Sequence, residues 1–297
     1  ELEAVHLNEF EKGVASIEVG IIADTKQPAA ALHFARYLGA RDKGLQRYRD
    51  FGFTPVEGDV WADVPELTIY AGSMLRPAIE ETIKAFESRE GVEVTRIYNG
   101  CGILVAQMKG GQHPDAYFAC DREFMSQVND LFPESTDVST NQLVILVQKG
   151  NPHVIQSLKD LAKPGLQVGI GHEKLCAMGW LTQQTFKEGN VQTEVMKNVT
   201  VQSPTGDTLV NQLKAGSLDA AVAYLSNAAG SADVLDAIPI QGIPCAEAVQ
   251  PFGVAVDSEQ KHLARRLYQR IAESESKERF LRNGFDWKLE EPRFGED

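Results

Sequence analysis

The sequence has few cysteines, few basic residues relative to acidic ones, and no long hydrophobic run. Four cysteines in 297 residues, at 101, 120, 176 and 245, are too few for a disulfide framework and lack CxxC or zinc-type spacing. Apolar runs such as 144–147 and 254–256 fall far short of the roughly 20 residues that a membrane helix needs. We therefore expect at most one or two disulfides and no membrane span.

The charge balance argues against nucleic acid and anionic membranes as partners. Lys and Arg number 29 against 42 Asp and Glu, which gives a formal net charge of -13. Binding to nucleic acid or to an anionic membrane requires clustered positive charge, so neither partner is expected. The proportions of hydrophobic and charged residues, 43% and 24%, are those of a globular protein, and the length predicts roughly two compact units.

An internal repeat links the two ends of the chain. A predicted strand at 19–24, a helical stretch and the motif 47–53 are echoed by a strand at 252–257, a helical stretch and the motif 279–285. Both copies read strand, helix, short break, helix, Gly-Phe. Because the second copy closes the chain, residues 1–57 are expected to be the closing fragment of a preceding, similar unit.

The rest of the chain predicts one two-lobed α/β unit. Residues 54–66 carry two prolines, one glycine and four acids without a period, which indicates a linker, placed at 58–66. Strands then alternate with helices, and runs such as 143–148 are apolar on both faces, which is typical of mostly parallel sheets with helices on both faces. The predicted lobe I spans 67–146 and 251–297, and lobe II spans 147–250. A cleft between lobes is the expected ligand position.

Four strand-to-helix turns carry small or polar residues. They lie at 71–74, 99–102, 176–179 and 203–208. The first N–H groups of a helix have no partner within it, and the helix dipole adds partial positive charge there. Several such helix starts that converge would bind an anion without Lys or Arg.

The residues resemble a known family. Residues 67–78, with the Ala-Gly-Ser turn, and 114–121, Pro-Asp-Ala-Tyr-Phe-Ala-Cys-Asp, look like the opening of the molybdate and tungstate binding proteins of ABC importers. The likeness continues through 141–147, 168–171, 213–224 and Gly284-Phe285, and spans about 66–287. It implies a class II periplasmic-binding-protein fold that closes on a tetrahedral oxyanion through hydroxyls and backbone amides.

The resemblance also implies a ligand set. The first hydroxyl of the family falls on Ser73, the second on Cys101 followed by Gly102, and its Tyr ligand on Tyr224. The backbone-amide positions of the second lobe fall near Met178 and at Thr208. Cys101 departs from the family, because a thiol is a weaker donor than a hydroxyl.

Cys101 leaves three interpretations open: ligand contact, passive burial, or a disulfide to Cys120. With His172, Cys176 and nearby methionines it could form a soft-metal site for an ion such as copper. The methionines concerned are Met74, Met108 and Met178. A nucleophile and base formed by Cys101 or Cys176 with His172 is the enzymatic alternative, but no hydrolase, phosphate-loop or metalloprotease motif accompanies it.

The sequence therefore predicts a solute-binding protein rather than an enzyme. It would capture a small oxyanion of the molybdate or tungstate type in the periplasm or another extracytoplasmic space, and deliver it to the membrane subunits of an ABC importer. No cofactor is expected. The alternative is a binding protein or sensor for a soft metal ion or another small anion that uses Cys, Met and His at the cleft.

Overall fold

The computed structural model describes residues 15–289, and strands alternate with helices along most of that range. The strands are β1 Glu66–Gly72, β2 Glu93–Asn99, β3 Ala116–Phe118, β4 Ser135–Gln148, β5 Val168–Gly171, β6 Val199–Ser203, β7 Ala220–Tyr224, β8 Leu235–Pro239, β9 Glu247–Val254 and β10 Asp286–Trp287. The helices are α1 Pro28–Gly39, α2 Gly44–Asp50, α3 Arg76–Glu90, α4 Cys101–Lys109, α5 Arg122–Ser126, α6 Ala177–Glu188, α7 Gln192–Val195, α8 Gly206–Lys214, α9 Leu225–Ala228, α10 Lys261–Ile271 and α11 Ser274–Arg282.

Two groups of parallel strands form the two lobes. In lobe I, β1 lies between β2 and β3, and both pairings are parallel. In lobe II, β5 lies between β6 and β7, again in parallel. The strands β4 and β9 join these groups by antiparallel pairing, giving the order β2-β1-β3-β9-β4-β7-β5-β6. The predicted α/β fold with mostly parallel strands is confirmed.

The long strand β4 crosses from one lobe to the other. Its residues 135–142 pair with β9, and from Leu143 onward it pairs with β7 and β8. At the crossing, Ser139 Oγ donates a hydrogen bond of 2.8 Å to Gln250 Oε1, and both side chains are fully buried. The change of partner falls between Gln142 and Leu143, slightly before the predicted lobe boundary at 146/147. The Ser139–Gln250 bond joins β4 to β9 within lobe I, a few residues before β4 changes partner.

Local sequence explains why the first elements form where they do. Strand β1 is almost entirely buried, as expected for an apolar strand covered on both faces. Helix α3 starts with Arg76-Pro77, where proline's missing N–H and fixed φ are tolerated. It ends at Gly91, whose φ of +66° is a left-handed conformation that glycine adopts without strain. Ser73 is thereby held between a buried strand end and a helix start.

The segment before the two lobes differs in part from its prediction. The strand predicted over 19–24 does not form, and residues 15–22 have no regular secondary structure. The two predicted helices are present as α1 and α2, and α1 packs against α3. A strand needs a partner for its backbone groups, and the described residues offer none at this position. Residues 1–14 of the predicted closing fragment and 290–297 of predicted lobe I lie outside the described residues.

Candidate functional site

The starts of several helices surround one small cavity between the lobes. Lobe I contributes the turn after β1 and the residue before α4, and lobe II contributes the starts of α6, α8 and α9. The cavity has a volume of about 20 Å³, enough for one water-sized group. Its lining residues are Ser73, Met74, Gly100, Cys120, Cys176, Ala177, Met178, Pro204, Thr205, Gly206, Tyr224 and Asn227. The lining contains neither Lys nor Arg.

These helix starts have no side-chain caps. The residues preceding α4, α6 and α8 are Gly100, Cys176 and Thr205, and none accepts a capping hydrogen bond from its helix. By contrast α5, which does not face the cavity, is capped by Asp121, whose carboxylate accepts from Glu123 N–H at 2.9 Å. The first turns of α6 and α8 therefore have no side-chain cap, and they present the positive ends of two helices to the cavity.

Tyr224 supplies a buried hydroxyl at the cavity. It ends β7, is 2% exposed, and its hydroxyl has no hydrogen-bond partner among the described residues. Burial raises the pKa of Tyr224 well above its usual value, with smaller contributions from Asp121 and Cys176. The hydroxyl therefore stays protonated at neutral pH, and it can donate to an acceptor placed in the cavity.

Three of the six predicted ligand residues line this cavity. Ser73 lies in the turn after β1, Met178 in the first turn of α6, and Tyr224 at the end of β7. The prediction missed Thr205, Gly206 and Asn227, which also line it. Gly206 belongs to a turn that the sequence singles out. Asn227 follows the carboxyl end of a parallel strand, the position at which ligands bind in such sheets, and that rule could have found it.

Cys101 is not a ligand thiol. It forms a disulfide with Cys120, with the two Cα atoms 6.3 Å apart. Of the three interpretations that the sequence left open for Cys101, the structure shows the disulfide. The bridge ties the first residue of α4 to the residue two positions after β3, and only Cys120 of the pair lines the cavity. A sulfur in a disulfide has no S–H to donate, so this part of the predicted ligand set is wrong.

Gly102 contacts the opposite lobe instead of the cavity. Its N–H donates to the carbonyl oxygen of Leu175, 3.1 Å away, so it is already satisfied. A Cβ atom at 102 would collide with the backbone of Lys174, and one at Gly100 would collide with the carbonyl oxygens of Leu175 and Pro204. Glycine is needed at both positions because the lobes touch there. Gly102 serves lobe closure, which corrects its predicted place in the ligand set.

Thr208 lies just outside the cavity. It is exposed in the first turn of α8, and its hydroxyl is 3.1 Å from that of Thr205. Thr205 and Gly206, at the very start of the helix, line the cavity in its place. The prediction found the correct turn, but residues two and three positions earlier face the cavity because the chain enters the helix there.

The free thiol that lines the cavity, that of Cys176, is buried and protonated. Burial raises the pKa of Cys176 to about 11. Its sulfur lies 3.6 Å from the carbonyl oxygen of His172, while His172 Nδ1 accepts a hydrogen bond from Lys174 N–H at 3.2 Å. The imidazole therefore does not activate this thiol, and the nucleophile and base pair considered from the sequence is not formed.

Metal binding finds little support in the same residues. Cys101 has no thiol, and Cys176 is protonated. Within residues 15–289 there is no group of three or more His, Cys, Asp or Glu side chains that could hold a metal ion. Met74 and Met178 do line the cavity, but among the described residues no carboxylate or thiolate that could serve as a further metal ligand lines it with them.

Comparison with known proteins identifies the family. Residues 67–286 match the bacterial extracellular solute-binding proteins, which is most of the chain. The chain belongs to this family. A Haemophilus influenzae protein, named as a binding protein without a stated ligand, is 26% identical over 227 residues and aligns with 74% of this chain and 90% of its own length. The molybdate-binding protein ModA of Mycobacterium bovis is 23% identical over 223 residues, which cover 74% of this chain and 84% of ModA.

Solved structures show the same fold. The periplasmic molybdate-binding protein of Azotobacter vinelandii has a TM-score of 0.64 at 13% identity, covering 75% of this chain and all of the other. The sulfate-binding protein SubI of Mycobacterium tuberculosis has a TM-score of 0.63 at 15% identity, covering 74% and 86%. This solute-binding chain therefore has the periplasmic-binding-protein fold. None of its helices within residues 15–289 has the length and hydrophobicity to cross a membrane.

Proposed function

We propose that this protein binds a tetrahedral oxyanion of the molybdate or tungstate type between its lobes. The observation that carries the proposal is the set of uncapped helix starts around one cavity that has no cationic side chain. The proposed ligand residues are Ser73, Thr205 and Tyr224 through their hydroxyls, and the first turns of α6 and α8 through their amides. Molybdate-binding relatives and structural neighbours support the same ligand class.

The proposed chemistry uses neutral dipoles to hold a dianion. Peptide N–H groups and hydroxyls donate to the oxygens of the anion, and the helix dipoles add partial positive charge. Because closure removes water from the site, each of these interactions is stronger than it would be in solution. A buried dianion without hydrogen bonds would be very unfavourable, so the number of donors decides whether binding occurs.

Entry of the anion requires the lobes to separate. The cavity of about 20 Å³ holds one water-sized group, which is less than a tetrahedral oxyanion needs. The two crossovers, in β4 and before β9, are the places where the chain can bend to open the cleft.

The biological role follows from the family. We propose that the protein works outside the cytoplasm, that it delivers its anion to the membrane subunits of an ABC importer, and that it catalyses no reaction. Membership of the extracellular solute-binding family supports this role. The anion itself is the finer part of the proposal, because a structural neighbour of similar TM-score binds sulfate.

Calorimetric titration tests the proposed ligand class. Molybdate, tungstate, sulfate and phosphate are added separately to the purified protein, with copper(I) as the soft-metal arm. We expect one anion per chain for molybdate or tungstate, and a stabilisation of about 2.7 kcal/mol at 100 times the dissociation constant. Ser73→Ala should weaken binding, whereas the exposed Ser88→Ala in α3 is the matched control. Heat with copper alone, or with none of the anions at millimolar concentration, would overturn the proposal.

A further inference from the structure

The described residues before the lobes carry an unusually apolar surface. Within residues 15–289, fourteen large hydrophobic residues are exposed, and nine of them lie within residues 17–64, ahead of the part that matches the family. Ile22 is 79% exposed, Phe34 61% and Phe51 81%. Exposed apolar side chains concentrated in one folded segment indicate a contact with another folded body.

This segment has the same element order as the end of the chain. The spacing is 233 residues in its first half, from Gly20 to Gly253 and from the start of α1 to the start of α10. After α1 the spacing becomes 232, from the end of α2 to the end of α11 and from Gly52-Phe53 to Gly284-Phe285. The second copy is therefore one residue shorter than the first between the start of its first helix and the end of its second.

The two copies also end with the same local geometry. Phe53 N–H donates to Tyr48 O at 3.1 Å, and Phe285 N–H donates to Phe280 O at the same distance. The preceding glycines both have left-handed backbones, with φ of +85° at Gly52 and +77° at Gly284. The rings of Tyr48 and Phe53 meet at 5.7 Å, and those of Phe280 and Phe285 meet at 5.3 Å. The sequence repeat is thus a structural repeat.

The copies differ in what covers them. In α10 the core face is Leu263, Ala264, Leu267 and Ile271, and all four are at most 1% exposed. At a spacing of 233 residues the corresponding side chains of α1 are Ala30, Ala31, Phe34 and Leu38, and none of them is buried. Likewise Phe285 is 2% exposed, whereas Phe53 is 47% exposed. The face of α1 that matches the sheet-covering face of α10 is therefore exposed at Ala30 and Phe34 and only half-buried at Ala31 and Leu38, and we call it the bare face of α1.

The opposite face of α1 is the one that packs on lobe I. Leu32 is buried there, and Arg36 Nη2 donates to the backbone oxygen of Glu90 at 2.8 Å. The Glu90 side chain is 1% exposed and also pairs with Arg266, at 2.6 Å. The residues of α10 that correspond to Leu32 and Arg36 are Arg265 and Gln269, both exposed. Helix α1 thus contacts this unit through the face that points to solvent in α10.

We propose that residues 19–53 are the closing strand and helices of a second solute-binding unit, and that the sheet of that unit covers the bare face of α1. That sheet precedes residue 19 in the same polypeptide, because in the second copy β9, α10 and α11 follow most of the strands that they join or cover. Residues 19–24 then form the strand that corresponds to β9. The contact of α1 with α3 and Glu90 is the interface between the two units. This inference is independent of the ligand.

The polypeptide made in cells tests the proposal. It is isolated with an antibody against residues 67–289, and its peptides are mapped by mass spectrometry. We expect a chain well above 32.6 kDa, with an upstream sequence that carries strands like β1 to β8. Hydrogen exchange should show residues 19–24 protected in that polypeptide and unprotected in the 297-residue chain. No folded unit upstream, or rapid exchange of residues 19–24 in both, would overturn it.

A pair of variants locates the covered face. Phe34→Glu should lower the melting temperature of the longer polypeptide by several degrees and leave that of the 297-residue chain unchanged. Leu281→Glu in α11, at a side chain that is 50% exposed, is the matched control and should behave alike in both. If the 297-residue chain instead dimerises in sedimentation experiments, and Phe34→Glu abolishes the dimer, a second copy covers the face and the proposal is wrong.

Discussion

The hydroxyl of Tyr224 has no hydrogen-bond acceptor among residues 15–289. We predict that Tyr224→Phe weakens molybdate binding at least about tenfold, because a buried hydrogen bond to a charged group contributes about 1.5–3 kcal/mol. Without ligand, the free energy of unfolding of the Tyr224→Phe variant should not fall, since the substitution removes no hydrogen bond. Tyr117→Phe is the matched control: its hydroxyl is also buried and unpartnered, but it does not line the cavity. Equal affinities in both variants, measured by calorimetry, would remove Tyr224 from the site.

A site built from neutral donors has a characteristic pH dependence. Burial keeps the pKa of Tyr224 far above neutrality and raises that of Cys176 to about 11, so neither group ionises between pH 7 and 9. We therefore expect the affinity for molybdate to stay constant across this range. The Cys176 thiol should lower stability only at higher pH, because the unfolded chain loses this proton near pH 9 and the folded chain near pH 11. A tenfold fall in affinity between pH 7 and 9 would indicate a titrating ligand.

At the scale of elements, the disulfide joins the start of α4 to the chain after β3. Cys101 and Cys120 are 19 residues apart, and closing a loop of that length stabilises the folded state by about 3 kcal/mol in the chain-entropy account. We predict that the double substitution Cys101→Ser with Cys120→Ser lowers the free energy of unfolding by about that amount. Molybdate binding should persist, because the sulfur atoms of the disulfide have no S–H that could donate to the anion. Unchanged stability in denaturant unfolding would show that the bridge is not formed in solution.

The segment before the lobes is expected to stabilise the protein without taking part in binding. Removing residues 1–57 exposes the part of α3 that α1 covers and leaves Glu90 paired with Arg266 but not with Arg36. The truncated chain keeps Asp59, whose carboxylate accepts hydrogen bonds of 2.9 Å from the backbone N–H groups of His262 and Leu263 in the first turn of α10. We predict a lower melting temperature and a molybdate affinity within a few fold of the full chain. A folded truncation that no longer binds would mean that the first segment contributes to the cleft.

The strands and helices of the two lobes could be predicted because their signals are local. Apolar runs with Gly or Pro at the ends define β1, α3 and β4, and the order of these elements dictates the parallel sheets. The strand expected at 19–24 has the same local signal, yet it does not form, because a strand also needs a neighbour. Pattern alone does not tell whether that neighbour is present.

The candidate site could be predicted only in part for a similar reason. Ser73, Met178 and Tyr224 follow strand ends, and the rule for parallel sheets places them together. Gly102 and Thr208 lie in the predicted turns but do not line the cavity. For Gly102 the reason is the close approach of the two lobes, and for Thr208 it is the residue at which α8 begins. The Cys101 pairing depends on the distance between two strand ends, which the sequence does not contain.

For the whole molecule, closure of the lobes is the step that completes the site. An added Cβ at Gly102 would meet the backbone of Lys174 across the cleft. We predict that Gly102→Ala weakens molybdate binding by at least about tenfold, because the lobes can no longer close, while each lobe stays folded. Gly39→Ala is the control, since nothing lies within 4 Å of its added Cβ. Wild-type affinity in Gly102→Ala would show that binding does not need this contact.

The location of the bound anion tests the account most directly. Crystals grown with molybdate, measured at the molybdenum absorption edge, would mark the metal atom by its anomalous signal. We predict one site per chain, between the starts of α6 and α8 and the turn at Ser73, with an anion oxygen within about 3 Å of Tyr224 Oη. No lysine or arginine side chain should contact it. A molybdate held at surface lysines or arginines, with the cleft empty, would contradict the account.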